Sequence, residues 1–209
     1  VIEITRILEG LLEMGTCKKL FGSILALLLG VSYSLAQGTL SEGEILKSLQ
    51  GSGGAARAAN LDVGNLRRDV EKRIQVEGTE NAASPPPVLQ ALSTLPNLTV
   101  QIQFDFDSDW IRPGSWETLG RIADALHHPL LLSNRFIVVG HTDAKGKRSY
   151  NLELSQRRAD AVRDMLISTF RIEPDRVIAL GLGEEQLQDA KNPDAAVNRR
   201  VQLLNIGPK

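Results

Sequence analysis

The chain is 209 residues long, 42% hydrophobic and 23% charged, with a formal net charge of −1. That length holds one good domain with extensions or two small ones, and the near-neutral balance offers no basic surface to a nucleic acid. Aromatic content of 4% argues against a stacking platform for single strands. The one cysteine, Cys17, excludes a disulfide framework or a cysteine-based zinc site within a single chain.

Residues 1–13 precede Met14, a candidate initiator, and read as an upstream extension. Lys18-Lys19, the apolar run Leu20 to Val31 and the small-x-small ending Ser34-Leu35-Ala36 are the three parts of a secretory signal spanning residues 14–36. Cleavage would leave a chain starting at Gln37. The alternative is a retained membrane anchor, although the run is a little short of the roughly 20 apolar residues that a spanning helix needs. Lipidation of the lipoprotein type needs a cysteine just after the apolar run, and Cys17 lies before it.

Residues 37–97 read as a mostly flexible tether. Apolar residues at 45, 46 and 49 allow one short helix within Leu40 to Leu49, and the Gly51-to-Ala56 run is flexible by composition. Leu61, Leu66, Val70 and Ile74 stand at near-helical spacing among many charges, but an isolated helix of that length is marginal in water. Residues 78–87, GTENAASPPP, have linker composition. A partner-docking helix at 40–49 is the competing expectation for this segment.

Residues 98–208 alternate strand and helix and predict one α/β domain. Leu98 to Phe104 alternates apolar and polar as a strand buried on one face does. Pro113-Gly114-Ser115 offers a turn and an N-cap to a helix whose stripe is Leu119, Ile122, Ala123 and Leu126, closed by Pro129. The continuously apolar run Phe136 to Val139 predicts a central strand. A second helix, about Tyr150 to Thr169, has Leu154, Ala161, Val162, Met165 and Leu166 for its buried face. Val177 to Leu180 forms a third strand ended by Gly181-Leu182-Gly183, and Arg199 to Ile206 forms the last.

Several motifs fail their chemical requirements. Asp105-Phe106-Asp107-Ser108-Asp109 opens like a calcium loop, but Trp110 and Trp116 occupy the positions that need glycine and a bidentate glutamate. Gly181-Leu182-Gly183 lacks the third glycine of a dinucleotide loop. His141 and Asp143 lack a third and fourth metal ligand, so no metal and no cofactor is expected. No serine sits in a nucleophile elbow, which leaves hydrolase chemistry without machinery; the expectation is a protein that is not an enzyme.

What remains is Asp143 with Arg158. Most such pairs are an N-cap aspartate and a surface arginine. Here Asn151, Leu154 and Arg158 share one helix face by their three- and four-residue spacing, and Asp143 follows a buried strand through a tight turn. Backbone N–H groups around Gly146 could point inward at an anion. A carboxylate facing a guanidinium suits a small zwitterion.

The runs Phe104 to Pro113, Gly140-His141-Thr142-Asp143-Ala144-Lys145-Gly146, Tyr150 to Ala159 and Asn198-Arg199-Arg200-Val201 stand in the order and spacing of the OmpA-like C-terminal domain. Over residues 98–208 the chain resembles that peptidoglycan-binding family of the Gram-negative envelope, found in outer-membrane porins, peptidoglycan-associated lipoproteins and flagellar stator subunits. The resemblance implies a small mixed β-sheet with helices packed on one face, an α+β sandwich. It implies that Asp143 holds the ammonium of diaminopimelate in the peptide stem and Arg158 its carboxylate. Thr142, Asn151 and Leu154 would line the pocket, and the loop of Asp105, Phe106, Asp107 and Ser108 would supply a wall with backbone donors. Arg200 would brace the site. One departure is the short stretch Lys191 to Val197, which replaces a longer glycine- and arginine-containing segment at the rim. The expected location is the periplasm, with an outer-membrane or envelope protein as a partner for residues 37–97. A wall-gripping, stator-like subunit with an uncleaved N-terminal helix is the alternative.

Overall fold

The continuous apolar run at 136–139 lies at the centre of a four-stranded mixed sheet. The computed structural model describes residues 40–50, 62–77 and 87–209. The strands are β1 (Asn97–Val100), β2 (Asn134–His141), β3 (Val177–Gly183) and β4 (Val201–Pro208), in the order β1-β4-β2-β3. β2 runs parallel to β3, while β4 is antiparallel to both β1 and β2. The helices are α1 (Glu42–Leu49), α2 (Val63–Glu77), α3 (Pro87–Ser93), α4 (Trp116–His127) and α5 (Arg148–Ser168). Residues from Leu40 onward form one compact unit. The upstream extension and the signal segment read in the sequence lie outside the described residues, as do residues 51–61 and 78–86.

Because successive side chains on a strand point to opposite faces, β2 feeds two cores. Phe136 and Val138 pack with Val177, Val201 and Leu203 under α4 and α5, which contribute Leu119, Ile122, Leu126, Ala159, Val162 and Leu166. Within residues 98–208 the two long helices thus share one face, as expected. Ile137 and Val139 join Leu180, Leu182, Leu204 and Ile206 on the other face. That face would be bare if the chain before residue 97 were a spacer.

It is not bare, and the tether reading is corrected here. Val63, Leu66, Val70 and Ile74 of α2 and Leu89 and Leu92 of α3 cover the second face. The stripe on α2 is too weak to hold a helix in water but suffices once the sheet supplies an apolar surface. On the first face α1 inserts Ile45 and Leu49, both fully buried. A capping box between Ser41 and Glu44 starts α1, and the buried Asn205 side chain on β4 donates to the Leu49 carbonyl at its end, 2.8 Å. The 40–49 helix does dock through its apolar face, but on its own chain.

Two boundaries also differ. β1 stops at Val100 instead of reaching Phe104. Residues 101–104 leave the sheet and close a loop through a single bridge between Phe104 and Ile111. Ser115, expected to cap α4, instead accepts from the backbone N–H of Gln103, 2.8 Å.

Candidate ligand-binding site at the end of β2

Glycine decides where α5 sits. A Cβ on Gly140 would stand 2.3 Å from the Ser155 carbonyl oxygen, and one on Gly181 would stand 2.4 Å from the Gln156 nitrogen. The helix therefore rests on bare backbone at the ends of β2 and β3. Its side chains then replace a missing strand along the β3 edge. Gln156 Oε1 accepts from the Gly181 N–H and Ser155 Oγ from the Gly183 N–H, each at 2.7 Å. This is why β3 continues through Gly183, where the sequence predicts a turn.

The turn after β2 is held from below. Asn151 Nδ2, fully donated, reaches the carbonyls of Asp143 (3.2 Å) and Lys145 (3.1 Å) and the Glu184 carboxylate (2.6 Å). Asn151 thus shapes the turn. Gly146 takes φ +98°, the left-handed region that glycine enters at no steric cost. Asp143 is mostly buried. Its Oδ2 pairs with Arg199 Nη1 at 2.6 Å, while among the described residues Oδ1 meets only the Lys145 N–H, at 3.3 Å. Beside it the buried Thr142 Oγ1 has no hydrogen-bond partner among the described residues.

Arg158 reaches up from α5. Its Nε donates to the Ser108 carbonyl at 2.9 Å, and its guanidinium lies over the Phe104 ring, 4.9 Å from the centroid. No carboxylate among the described residues forms an ion pair with it. Burial pushes its pKa below the usual arginine value, and the Arg199 charge works in the same direction against the opposing effects of Tyr150, Asp107 and Asp143. Both effects penalise an uncompensated cation there, so an anionic ligand group would be welcome. Arg158 and Arg199 line one cavity of about 260 Å³, together with Gln103, Phe104, His141 and Arg200.

The 105–110 loop is ordered by side chains. Asp107 sits at φ 53°, a conformation aspartate tolerates better than most residues, and accepts from the Tyr150 hydroxyl. Asp105 pairs with Arg112 at 2.8 Å. The loop offers the site a carbonyl, that of Ser108, where backbone donors were expected. Phe106 is 97% exposed and is not among the residues lining the cavity. Leu154 is buried beneath the site.

Arg200 braces the rim. It is buried and donates to the carbonyls of Gln186 (2.8 Å) and Asn198 (3.3 Å), and burial pushes its pKa down to about 10. The short 191–197 stretch is closed by Asn198, whose amide reaches the carbonyls of Asp189, Asn192 and Pro193 while its oxygen accepts from the Asp189 N–H. Behind the site, Arg148 and Glu185 form a buried pair at 2.5 and 2.6 Å.

Arg158, Arg199 and Arg200 line the cavity, Ser108 accepts from Arg158 and Asp143 pairs with Arg199, while Asp143, Thr142, Asn151 and Leu154 are buried and are not among the residues lining it. Sequence reasoning missed Arg199 and Phe104 as members.

A mixed four-stranded sheet, with a helix seated on glycines and a carboxylate and a guanidinium at its edge, defines a small α/β domain with a charged cleft. Residues 103–200 match the OmpA family, and this segment is an OmpA-family domain. The chain is 36% identical over 115 residues to outer membrane porin F of Pseudomonas aeruginosa, covering 54% of this chain and 32% of that protein. It is 36% identical over 112 residues to the peptidoglycan-associated lipoprotein of Brucella melitensis, covering 52% of this chain and 65% of that one. The solved peptidoglycan-associated lipoprotein of Burkholderia pseudomallei is 31% identical, with a TM-score of 0.42, covering 50% of this chain and 87% of that chain. The chain thus spans between about a third and two thirds of the length of these two curated relatives.

Proposed function

We propose that this chain binds cell-wall peptidoglycan non-covalently and without turnover, through the diaminopimelate of the stem peptide. The observation that carries the reading is Arg158, half-buried and without a carboxylate partner among the described residues, lining the same cavity as the Arg199 that holds Asp143. The names of the similar lipoproteins and the OmpA-family match support the same class of ligand.

Diaminopimelate presents an ammonium and a carboxylate on one carbon. The ammonium approaches Asp143 at Oδ1, whose hydrogen bond from the Lys145 N–H is long at 3.3 Å, or displaces Arg199 from Oδ2. The carboxylate meets the Arg158 fork, a planar donor set that matches two oxygens at once. Each charge-assisted hydrogen bond contributes about 1.5–3 kcal/mol, so a single site binds at about micromolar to millimolar Kd. The wall is a polymer, and a chain held in the envelope gains from effective concentration.

Co-sedimentation with purified sacculi tests this. The wild-type chain should pellet, and Asp143→Ala and Arg158→Ala should stay in the supernatant with unchanged circular dichroism. Equal pelleting of all three would remove the pocket from the account. The export reading belongs to the same proposal: an intact mass corresponding to a start at Gln37 supports a cleaved periplasmic form, and retention of residues 14–36 favours the anchored, stator-like alternative.

A further inference from the structure

The 105–110 loop has a second side. Ser108 turns its carbonyl to Arg158, but Ser108 to Ile111 also form one wall of a separate groove of about 520 Å³ on the outer surface of α5. Trp110 and Trp116 line it, 66% and 50% exposed, with Met165 between polar neighbours. They are the only tryptophans in the chain. Tryptophan is mostly buried on average in folded proteins, so two half-bare indoles in one groove mark an interaction surface.

Three carboxylates line that groove, Asp109, Asp160 and Asp164, with one lining cation, Arg157; Asp164 is paired with Arg163 at 2.9 Å, which leaves Asp109 and Asp160 as its acidic edge. An acidic rim disfavours anionic lipid headgroups and nucleic acid. It suits a neutral ligand with an apolar face and a fringe of hydrogen-bond donors. A pyranose ring has this form: its axial C–H groups stack on an indole, while its hydroxyl and acetamido N–H groups donate to carboxylates. We propose that the Trp110–Trp116 groove is a glycan subsite that holds the N-acetylated sugars of the wall strand.

Position supports that occupant, on the peptidoglycan reading above. Arg157 lines the groove and Arg158 lines the cavity, and they are neighbours on α5. Extended peptide spans about 3.5 Å per residue, so a stem gripped a few residues from its sugar leaves that sugar on the order of 10 Å away. Two weak sites joined through one polymer strengthen each other by effective concentration.

The probe is the neutral N-acetylglucosamine tetramer, titrated into the full chain and read by intrinsic fluorescence, because both tryptophans lie in the groove. A saturable change is expected for the wild type and for Asp143→Ala alike. Trp110→Ala and Trp116→Ala, followed through the remaining indole and by calorimetry, should each weaken binding about tenfold, the scale of one aromatic contact. Absence of a saturable change in the wild type, or unchanged affinity in both tryptophan variants, overturns the subsite. So does a dimer in sedimentation that Trp116→Ala dissociates, since the groove would then hold a second copy. A sugar-free stem peptide titrated in parallel reads the Asp143–Arg158 site alone, so failure of one proposal is distinguished from failure of the other.

Discussion

His141 makes acid stability a sharp test of how the site is built. It lies at the end of β2, two residues before Asp143, and is 2% exposed. Its Nε2 is 2.8 Å from Gln202 Oε1, and its Nδ1 has no partner among the described residues. Burial, aided by the Arg200 charge and opposed by the Gln202 hydrogen bond, lowers its pKa from 6.5 to about 3. Above pH 6.5 the ring is neutral in folded and unfolded chains and contributes no pH dependence. Between about 6.5 and about 3 only the unfolded chain takes the proton, so stability falls as pH falls, by about 1.4 kcal/mol per unit. Going from pH 7.5 to 4.5 should therefore cost about 2–3 kcal/mol through this residue alone. The comparison is urea unfolding of the wild type and of His141→Gln, which keeps an amide for Gln202 and removes the titration. The variant starts lower at pH 7.5 but should lose about 2–3 kcal/mol less on acidification, because every other titrating group cancels between the two chains. Parallel losses would mean that His141 titrates alike in the folded and unfolded chains, as a solvated ring does, and the packing described at the end of β2 would be wrong.

Three further outcomes follow from contacts in the core. Gly140→Ala places a methyl 2.3 Å from the Ser155 carbonyl, so thermal unfolding should show a loss of about 1–3 kcal/mol or more, with sacculus binding falling as α5 is pushed off. Glu185→Gln takes from the buried Arg148 the carboxylate it pairs with at 2.5 Å; a loss of about 1.5–3 kcal/mol is expected by urea titration, and a double replacement by apolar residues of similar size should be milder. Leu66→Ala, at a position 2% exposed, should cost about 2–5 kcal/mol, whereas no loss would restore the view of residues 62–77 as a spacer.

How far the sequence led depended on whether a residue's role was local. The sheet and its two long helices were legible because Phe136 to Val139 and the Leu119–Leu126 stripe carry their periods in the chain itself. Asp143 and Arg158 were singled out through motif spacing. The α2 helix was not, because its stripe counts for little until a sheet face assembled from residues 137 to 206 is there to receive it. Arg176 shows the same limit for a charge. Arg176 is 1% exposed and gives its donors to the carbonyls of Leu126, Leu131 and Asn134, tying the end of α4 to the start of β2. Nothing adjacent to Arg176 in sequence announces those acceptors. Arg199 was passed over because its partner, Asp143, lies 56 residues away.

The central claim is that one amino acid is read at both its charges, and paired stem peptides test it most directly. A peptide with diaminopimelate and the same peptide with lysine both present an ammonium to Asp143, but only the first presents a carboxylate to Arg158. Calorimetric titration of the wild-type chain should show the diaminopimelate peptide binding at least about tenfold more tightly, the value of one charge-assisted hydrogen bond, and Arg158→Ala should close that gap. Equal affinity for the two peptides, or a gap that survives Arg158→Ala, would contradict the account.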